Sequence, residues 1–297
     1  MNVLSLFDGI SCARVALDRV GVPVKTYFAC EIDKHAIKVS QRNFPDIVPL
    51  GDVREVTSLP EPIDLLIGGS PCTDLSVAKK NRQGLAGEHS SLFWEYVRLW
   101  KLLTPRVFIL ENVASMSKVD RAIITETLGV EPILIDAALV SAQSRKRLFW
   151  TNLPTSQPLD RGILLRDILE PDAEVDESFT MDGKTTTSGV GFYYIGRVEL
   201  RRLDANGVRH DGDASYPLVK KITARENGGK SNTLTTLTEH NLVVGATRIR
   251  KLTPVECERL QGLPDGYTEG IAKTNRYKAL GNAFNVDVIA HLLSTLS

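Results

Sequence analysis

Residues 63–72 read Ile-Asp-Leu-Leu-Ile-Gly-Gly-Ser-Pro-Cys, an apolar run that breaks into a glycine turn and ends on a cysteine. Similar short apolar runs recur through the first half of the chain, at VLSLF (3–7), VKTYFA (24–29), RVFIL (106–110), PILIDAALV (132–140) and RLFW (147–150). Between them, segments such as 33–44 and 90–103 carry apolar residues at helical spacing. This alternation predicts an α/β fold with a mostly parallel sheet, whose ligands bind at the carboxyl ends of the strands.

The character of the sequence changes after about residue 151. The segments 151–162 and 167–177 look like a linker, and residues 178–247 are rich in Gly, Thr, Asn and Arg with short strand-like pieces. This composition predicts a small irregular domain. A helix is predicted at TPVECERLQGL, where Thr253 can cap and Pro254 occupies the first helical position. A last helix is predicted at NVDVIAHLLSTL.

The composition is that of a soluble globular protein: 297 residues, 42% hydrophobic and 24% charged. No apolar stretch approaches the roughly 20 residues that span a bilayer, and Asp8 comes too early for a signal peptide. These features predict a cytoplasmic protein without a membrane partner. The cysteines and histidines are scattered without ligand spacing, so a metal-free site is expected.

The net charge is zero, which argues weakly against a nucleic-acid partner. The charges are unevenly distributed, however, because an acidic segment at 167–177 is followed after residue 197 by many Arg and Lys residues. A basic face is one interpretation, and an ordinary solvated surface is the other.

Three strand ends carry residues that can do chemistry. Cys72 follows the run at 63–68 and is a candidate nucleophile, although a free cysteine is more often a small buried residue. Glu111 follows the next run, and Arg145 and Arg147 precede LFW on one side of an extended chain. A capping carboxylate and a solvated basic turn are the alternative interpretations. Taken together and in this order, the residues favour a catalytic constellation.

At these residues the sequence resembles the cytosine C5-specific DNA methyltransferase family over nearly its whole length. Phe7-Asp8-Gly9 is similar to the first motif of the family, and Ser-Pro-Cys72, Glu111-Asn-Val and Gln143-Ser-Arg-Lys-Arg to its catalytic motifs. The last two motifs resemble residues 250–264 and 276–286. One departure is that Ser11 and Cys12 stand where further glycines are usual. The catalytic stretches are close to the vertebrate de novo branch, but a short bacterial or phage enzyme fits better.

The resemblance implies a Rossmann-like catalytic domain that binds S-adenosylmethionine. Cys72 would add to C6 of a flipped cytosine, Glu111 would contact N3 and the N4 amino group, Arg147 would bind O2, and Arg145 would support it. Phe7 would lie against the adenine, Glu31 on the ribose hydroxyls, and Asp52 at the adenine amino group. The other implied cofactor-binding residues are Asp8, Gly9, Ile32, Val53, Ser70, Pro71, Leu92, Asn282 and Ala283.

The same resemblance implies a discontinuous catalytic domain, 1–177 plus 271–297, and an inserted target-recognition lobe, 178–270. Expected contacts with the substrate are Ser76, Asn112, Arg225, Asn227 and Lys230. Double-stranded DNA is the expected partner, a restriction endonuclease is a candidate companion, and a monomer is expected. Three alternatives stay open: a transfer-RNA cytosine methyltransferase, an enzyme with a modified donor, and an inactive DNA-binding relative.

Overall fold

The protein is described from a computed structural model. The structure describes residues 1–71, 92–170, 194–202, 204, 208, 210, 213–216, 218–225, 229–234, 242–244 and 249–296. In the described part of the first half, the helices and strands are β1 (Asn2–Leu6), α1 (Cys12–Arg19), β2 (Thr26–Cys30), α2 (Lys34–Asn43), β3 (Val48–Pro49), β4 (Leu65–Gly69), α3 (Leu92–Leu103), β5 (Val107–Val113), α4 (Lys118–Leu128), β6 (Ile133–Asp136) and β7 (Lys146–Thr151).

The second half adds β8 (Tyr194–Arg202), β9 (Leu218–Arg225), β10 (Leu242–Val244), β11 (Ile249–Lys251), α5 (Pro254–Leu260), α6 (Lys273–Asn282) and α7 (Val286–Leu293). All six predicted apolar runs are strands, and the predicted helices at 33–44 and 90–103 are α2 and α3. The helix at residue 254 begins as predicted, because Thr253 and Glu256 form a capping box around Pro254.

Two sheets are built from these strands. The first has seven strands in the order β3-β2-β1-β4-β5-β7-β6, and the second has four in the order β11-β10-β8-β9. In the first sheet β1 to β5 run parallel, while β7 is antiparallel to both β5 and β6. The predicted mostly parallel α/β fold is therefore confirmed. The strand order reverses between the neighbours β1 and β4, because the chain proceeds from β1 to β2 and β3 on one side and from β4 to β5 on the other. Ligands of such sheets bind in the crevice that this reversal opens at the carboxyl edge.

The large sheet is buried on both faces, as the continuous apolar runs predict. Alternate residues of β1 belong to different cores: Val3 packs with α1, α2 and α7, and Leu4 and Leu6 pack with α3 and α4. The first core also takes in Leu260 of α5 and Leu280 of α6. The end of the chain therefore packs back onto its beginning.

Residues 152–170 do not form a free linker. Arg161 donates its backbone amide to Leu139 O over 2.7 Å, Gln157 donates to Leu134 O over 2.7 Å, and Leu165 and Ile168 are buried. The polar, proline-containing sequence suggested exposure, but its few apolar side chains are spaced so that they reach the core.

Candidate active site

A cleft of about 390 Å3 opens at the carboxyl ends of β1, β2, β4 and β5. Its lining includes most of the residues implied as cofactor-binding or catalytic, among them Phe7, Asp8, Gly9, Glu31, Ile32, Asp52, Val53, Ser70, Pro71, Leu92, Glu111, Arg145, Arg147, Asn282 and Ala283. Residues separated by more than 250 positions thus meet in one concave site. Cys72, Ser76 and Asn227 lie outside the described residues; Pro71, which precedes Cys72, lines the cleft.

The turn between β1 and α1 forms one wall of the cleft and adopts left-handed backbone angles. Phe7, Gly9 and Ser11 have φ of 57°, 60° and 60°. A left-handed serine is strained compared with the glycine that is usual there. Hydrogen bonds of the Ser11 hydroxyl offset this strain, since Ser11 Oγ donates to the Asp8 carboxylate and lies 2.5 Å from Ser40 Oγ. The departure from glycine is therefore accommodated by a buried polar network.

Asp8 faces into this network rather than only towards the cleft. Its carboxylate accepts hydrogen bonds from Ser11 Oγ and from Tyr27 OH, the latter over 2.7 Å. Burial raises the pKa of Asp8 above its usual range, against the effect of these hydrogen bonds. Asp8 therefore holds the turn through these buried hydrogen bonds.

Because the pKa of Asp8 is raised by folding, stability should fall as pH rises. Between the unfolded value near 4 and the raised folded pKa, the folded protein binds more protons than the unfolded chain. The asparagine in Asp8→Asn is neutral at every pH, so this substitution should remove the loss of stability at high pH. We expect Tm at pH 8 to increase by about 2–4 °C for each kcal/mol of stability recovered. Thermal unfolding at pH 4 and pH 8 measures it; an equal shift at both pH values would contradict the explanation.

Glu31 is fixed by backbone amides at the end of β2. Its Oε2 accepts from Gly9 N, and its Oε1 accepts from Ile32 N and Asp33 N, each over 2.8 Å. A carboxylate held in this way keeps lone pairs for a further donor in the cleft. The adjacent Ile32 side chain is 73% exposed and lines the cleft, so it presents an apolar surface there.

Asp52 lies farther along the same wall and is engaged by its neighbour Arg54. Its side chain caps the 3-10 turn Val53–Glu55, and Arg54 Nε lies 3.0 and 3.1 Å from the two carboxylate oxygens. The Arg54 guanidinium and backbone amide hold the pKa of Asp52 at about 2. The carboxylate is therefore ionised and acts only as an acceptor.

Glu111 and Arg147 form an ion pair at the end of the cleft beyond β4. Arg147 Nε lies 2.8 Å from Glu111 Oε1, and the two side chains are 16% and 13% exposed. The pair spans the antiparallel strands β5 and β7, which the register Val113↔Arg147 brings together. Two hydrogen-bonding groups of opposite charge are thus presented side by side, an arrangement suited to the polar edge of a heterocyclic base.

Asn112 and Gly69 shape the space next to this pair. Asn112 is buried and donates to Ser70 Oγ over 3.1 Å, so it holds the loop that leads to Cys72 and does not face the cleft. A Cβ at Gly69 would lie 2.7 Å from Phe284 Cε1 and 3.0 Å from Glu111 Oε2. Glycine is therefore required at this position for the Glu111 carboxylate to approach β4.

Arg145 lines the same cleft, but it is buried and bonds to backbone carbonyls. Its guanidinium donates to Ala283 O over 2.9 Å, to Gly281 O over 3.2 Å and to Leu234 O over 3.3 Å. It therefore joins the strand leading into β7, the end of α6 and the segment that precedes β10. The prediction that Arg145 supports Arg147 is consistent with this position and stays a prediction.

Replacing Arg145 should destabilise the protein more than replacing an exposed arginine. Arg145→Met leaves three carbonyls, two of them buried contacts, without their charged donor, and we expect a loss of about 2–4 kcal/mol. Urea unfolding is the measurement. Arg121→Met, at an exposed position of α4, is the matched control and should change stability by less than about 0.5 kcal/mol. Equal effects of the two substitutions would contradict the assignment.

Helix α6 contributes residues that the sequence interpretation missed. Asn275, Lys278 and Ala279 line the cleft beside the predicted Asn282, and the spacing of the four residues places them on one face of the helix. Lys278 Nζ donates to Asp33 Oδ2 over 2.7 Å, which ties α6 to the start of α2. A polar stripe at helical spacing was the signal for these residues. Phe284, which closes the cleft beside Gly69, carried no such signal.

Lys230 and Arg225 were both expected to contact the substrate, and the structure places them differently. The Lys230 ammonium donates to Ala138 O, Ser141 O and Ile163 O at 2.8, 3.2 and 2.5 Å. Since an ammonium has three protons, the structure does not present Lys230 to a phosphate, and the expected DNA contact is withdrawn. Arg225 ends β9, where its backbone pairs with Ile195.

Within the described residues, no group of three or more His, Cys, Asp or Glu side chains is arranged to hold a metal ion. In the same part of the chain, no helix has the length and apolar character needed to cross a membrane.

Comparisons with known proteins agree with this geometry. Type II methyltransferase M.HpaII of Haemophilus parainfluenzae is 28% identical over 96% of this chain and 86% of its own length. Type II methyltransferase M.Bsp6I of Bacillus sp. (strain RFL6) is 29% identical over 100% of this chain and 98% of its own. Both relatives therefore match along nearly the whole sequence.

Solved structures support the fold. Methyltransferase EhMeth of Entamoeba histolytica superposes with a TM-score of 0.65 at 16% identity, over 100% of this chain and 97% of its own. A mutant of Spodoptera frugiperda DNMT2 gives 0.64 at 18% identity, over 99% of both chains. The fold is thus the Rossmann-like one that the sequence predicts. The model of the C-5 cytosine-specific DNA methylase family matches residues 1–190 and 173–297. With the matches spanning the chain and the cleft built from the motifs, this protein belongs to the C-5 cytosine-specific DNA methylase family of enzymes.

Proposed function

We propose that this enzyme transfers a methyl group from S-adenosylmethionine to C5 of a cytosine in double-stranded DNA. The observation that carries the proposal is the single cleft in which the Glu111–Arg147 pair lies at one end and the Glu31 and Asp52 carboxylates at the other. One end suits the polar edge of a cytosine, and the other suits the hydroxyl and amino donors of an adenosine.

The residues present fit S-adenosylmethionine. Gly9 has φ +60°, with nothing within 4 Å of where a Cβ would stand, which leaves room for the methionine part. The fixed Glu31 carboxylate would accept hydrogen bonds from the ribose hydroxyls, Asp52 would accept one from the adenine amino group, and exposed Ile32 would pack on the ring. When bound, S-adenosylmethionine supplies an electrophilic methyl group on its sulfonium.

The protein groups then act on the base. A cytosine is unreactive at C5 and inaccessible while stacked, so it is first flipped from the duplex at a cost of a few kcal/mol. The Cys72 thiolate adds to C6, which transfers electron density towards C5. In its protonated form, released from the ion pair, Glu111 would donate a proton at N3 and accept a hydrogen bond from the N4 amino group, while Arg147 would bind O2. C5 would take the methyl group from the sulfonium, which leaves S-adenosylhomocysteine. Water would remove the C5 proton, Cys72 would leave C6 as the thiolate, and N3 would return its proton to Glu111, so that the aromatic ring is restored.

The second sheet and the segments around it are proposed as the target-recognition lobe. Residues 254–270 pack in the large-sheet core through Leu260, Leu263 and Tyr267, and we therefore propose that the lobe ends before Pro254 rather than at 270. Arg225 remains a candidate DNA contact within it. We propose a cytoplasmic, prokaryotic or phage setting, with a restriction endonuclease as a candidate companion, because the relatives above are type II methyltransferases.

The experiment is to incubate the purified protein with unmethylated plasmid and labelled S-adenosylmethionine and to sequence the DNA for 5-methylcytosine at base resolution. We expect methylation in one short sequence context, lost in Cys72→Ala protein. Transfer RNA is offered in parallel. Label in transfer RNA alone, or in neither nucleic acid, would contradict the proposal.

A further inference from the structure

The segment Gly229–Leu234 is a structural strap that runs alongside the chain leading into Arg145. Its backbone pairs with that chain, since Ser231 N donates to Ala142 O over 2.6 Å and Ser144 N donates to Ser231 O over 2.8 Å. Gln143 and Ser231 form a parallel bridge. The strap lies between β9 and β10 in the sequence and pairs with the chain that carries Arg145 and leads into β7, where Arg147 lies.

Side chains strengthen this attachment. Gln143 is fully buried; its Oε1 accepts from Leu234 N over 2.9 Å, and its Nε2 donates to Leu260 O over 3.2 Å. The carbonyl of Leu234 in turn accepts from the Arg145 guanidinium over 3.3 Å. A displacement of the strap would therefore act directly on the groups that hold Arg145.

Lys230 anchors the strap at its start. Its ammonium donates to Ala138 O, Ser141 O and Ile163 O, which brings together the turn after β6, the approach to Gln143 and the 152–170 segment. Gly229, with φ +74°, lies against Leu164, where a Cβ would be 3.1 Å from Cδ2. The lysine therefore fills a preformed site of three carbonyls rather than extending into solvent.

We propose that Lys230 is a positioning residue that sets the register of the strap and, through Gln143 and Leu234, the position of Arg145 and Arg147 at the target base. This role deepens the proposed function and rests on it for its catalytic consequence. It replaces the contact with the DNA substrate that was expected of Lys230. The two roles differ in what arginine can do: a guanidinium can contact a phosphate but does not fit a site shaped for three ammonium protons.

The test uses Lys230→Met, Lys230→Arg and Lys230→Gln in the full-length protein, with Lys101→Met at an exposed position of α3 as the matched control. Amide hydrogen exchange is measured first, without DNA or cofactor. We expect Met and Arg to speed exchange in residues 139–147 and 229–234 by about 10-fold or more, and Gln, which keeps two donors, to speed it less. Should Lys230→Met fail to fold, the Arg and Gln variants give the same comparison.

Methylation of unmethylated plasmid is measured next. Displaced catalytic arginines should lower kcat by about 10- to 100-fold in Lys230→Met and Lys230→Arg. KM for plasmid and the salt dependence of binding to a short fluorescein-labelled duplex should match wild type. If Lys230 contacts phosphate instead, Lys230→Met reduces the salt slope by about 1 and Lys230→Arg behaves as wild type.

The outcomes separate the two proposals. Wild-type exchange rates in Lys230→Arg, or an effect confined to the salt slope, would overturn the positioning role. A wild-type protein that methylates no DNA would overturn the proposed function, and the exchange data would still decide whether Lys230 anchors the strap. Faster exchange with unchanged kcat would retain the anchor and reject its link to the arginines.

Discussion

Cys72→Ala should reduce methyl transfer to plasmid by roughly 10⁴-fold or more, as the loss of an enzyme nucleophile typically does. None of the cysteines in the described part of the chain can take over, since the thiols of Cys12, Cys30 and Cys257 are buried. Burial raises the pKa of Cys30 to about 12, so it stays a thiol at neutral pH although it borders the cleft. The measurement is the initial rate of label transfer at saturating plasmid, with Cys257→Ala as the matched control.

Thiol alkylation provides a second measurement of the same prediction. Iodoacetamide at pH 8 should modify Cys72 and leave the three buried thiols largely unmodified, because alkylation requires an accessible thiolate. Loss of activity should follow modification of Cys72 in the intact protein. Full activity after complete alkylation of Cys72, or retained activity in Cys72→Ala, would remove this residue from the mechanism.

Glu111→Gln should lower the methylation rate by about 100- to 10,000-fold, the range for loss of a general acid. Glutamine keeps a hydrogen-bonding group of the same size against Gly69 and Phe284, but it cannot give a proton to N3 of the base. It also leaves Arg147 without the carboxylate that lies 2.8 Å away. Single-turnover rates at saturating cofactor and plasmid isolate the chemical step from binding.

The control for this substitution is Glu126→Gln, at an exposed position of α4. Binding of S-adenosylmethionine to Glu111→Gln should be close to that of wild type, because Glu31 and Asp52 lie at the other end of the cleft. A Glu111→Gln protein with weak cofactor binding and a normal single-turnover rate would place Glu111 in the cofactor site instead.

The strands could be predicted from the sequence because their apolar runs are short, buried on both faces and separated by turn residues. The start of α5 was equally predictable, since Thr253, Pro254 and Glu256 form a local capping signal. The strand order β5-β7-β6 could not be predicted, because both directions of β7 satisfy the same apolar pattern. Helix α6 was missed since its sequence is largely polar and Ala272 gives it no side-chain cap.

The site was predictable to the extent that its residues follow strand ends. Glu31 follows β2 and Glu111 lies near the end of β5, at the edge where parallel strands bring their carboxyl ends together. Arg147 reaches the same edge because β7 runs antiparallel to β5 and begins there. The use of a side chain was harder to predict than its location. Lys230 lies in a basic, glycine-containing stretch that suggests a phosphate contact, yet its partners are carbonyls from three separate segments. Hydrogen bonds between a charged side chain and residues distant in the sequence produce no periodic pattern from which they could be predicted.

The packing of α7 on α1, and of α6 over the cleft, also determines when during synthesis the enzyme becomes complete. A ribosome adds about 5–20 residues per second, so β1 and α1 emerge well before α6 and α7 are translated. Throughout that interval the nascent chain has the wall of the cleft that Gly9, Glu31 and Asp52 form, but it lacks the wall that Asn282 and Phe284 provide. A chain whose synthesis has reached only the second sheet therefore has an incomplete cleft, and we expect methylation of DNA only after α6 and α7 have packed onto the large sheet.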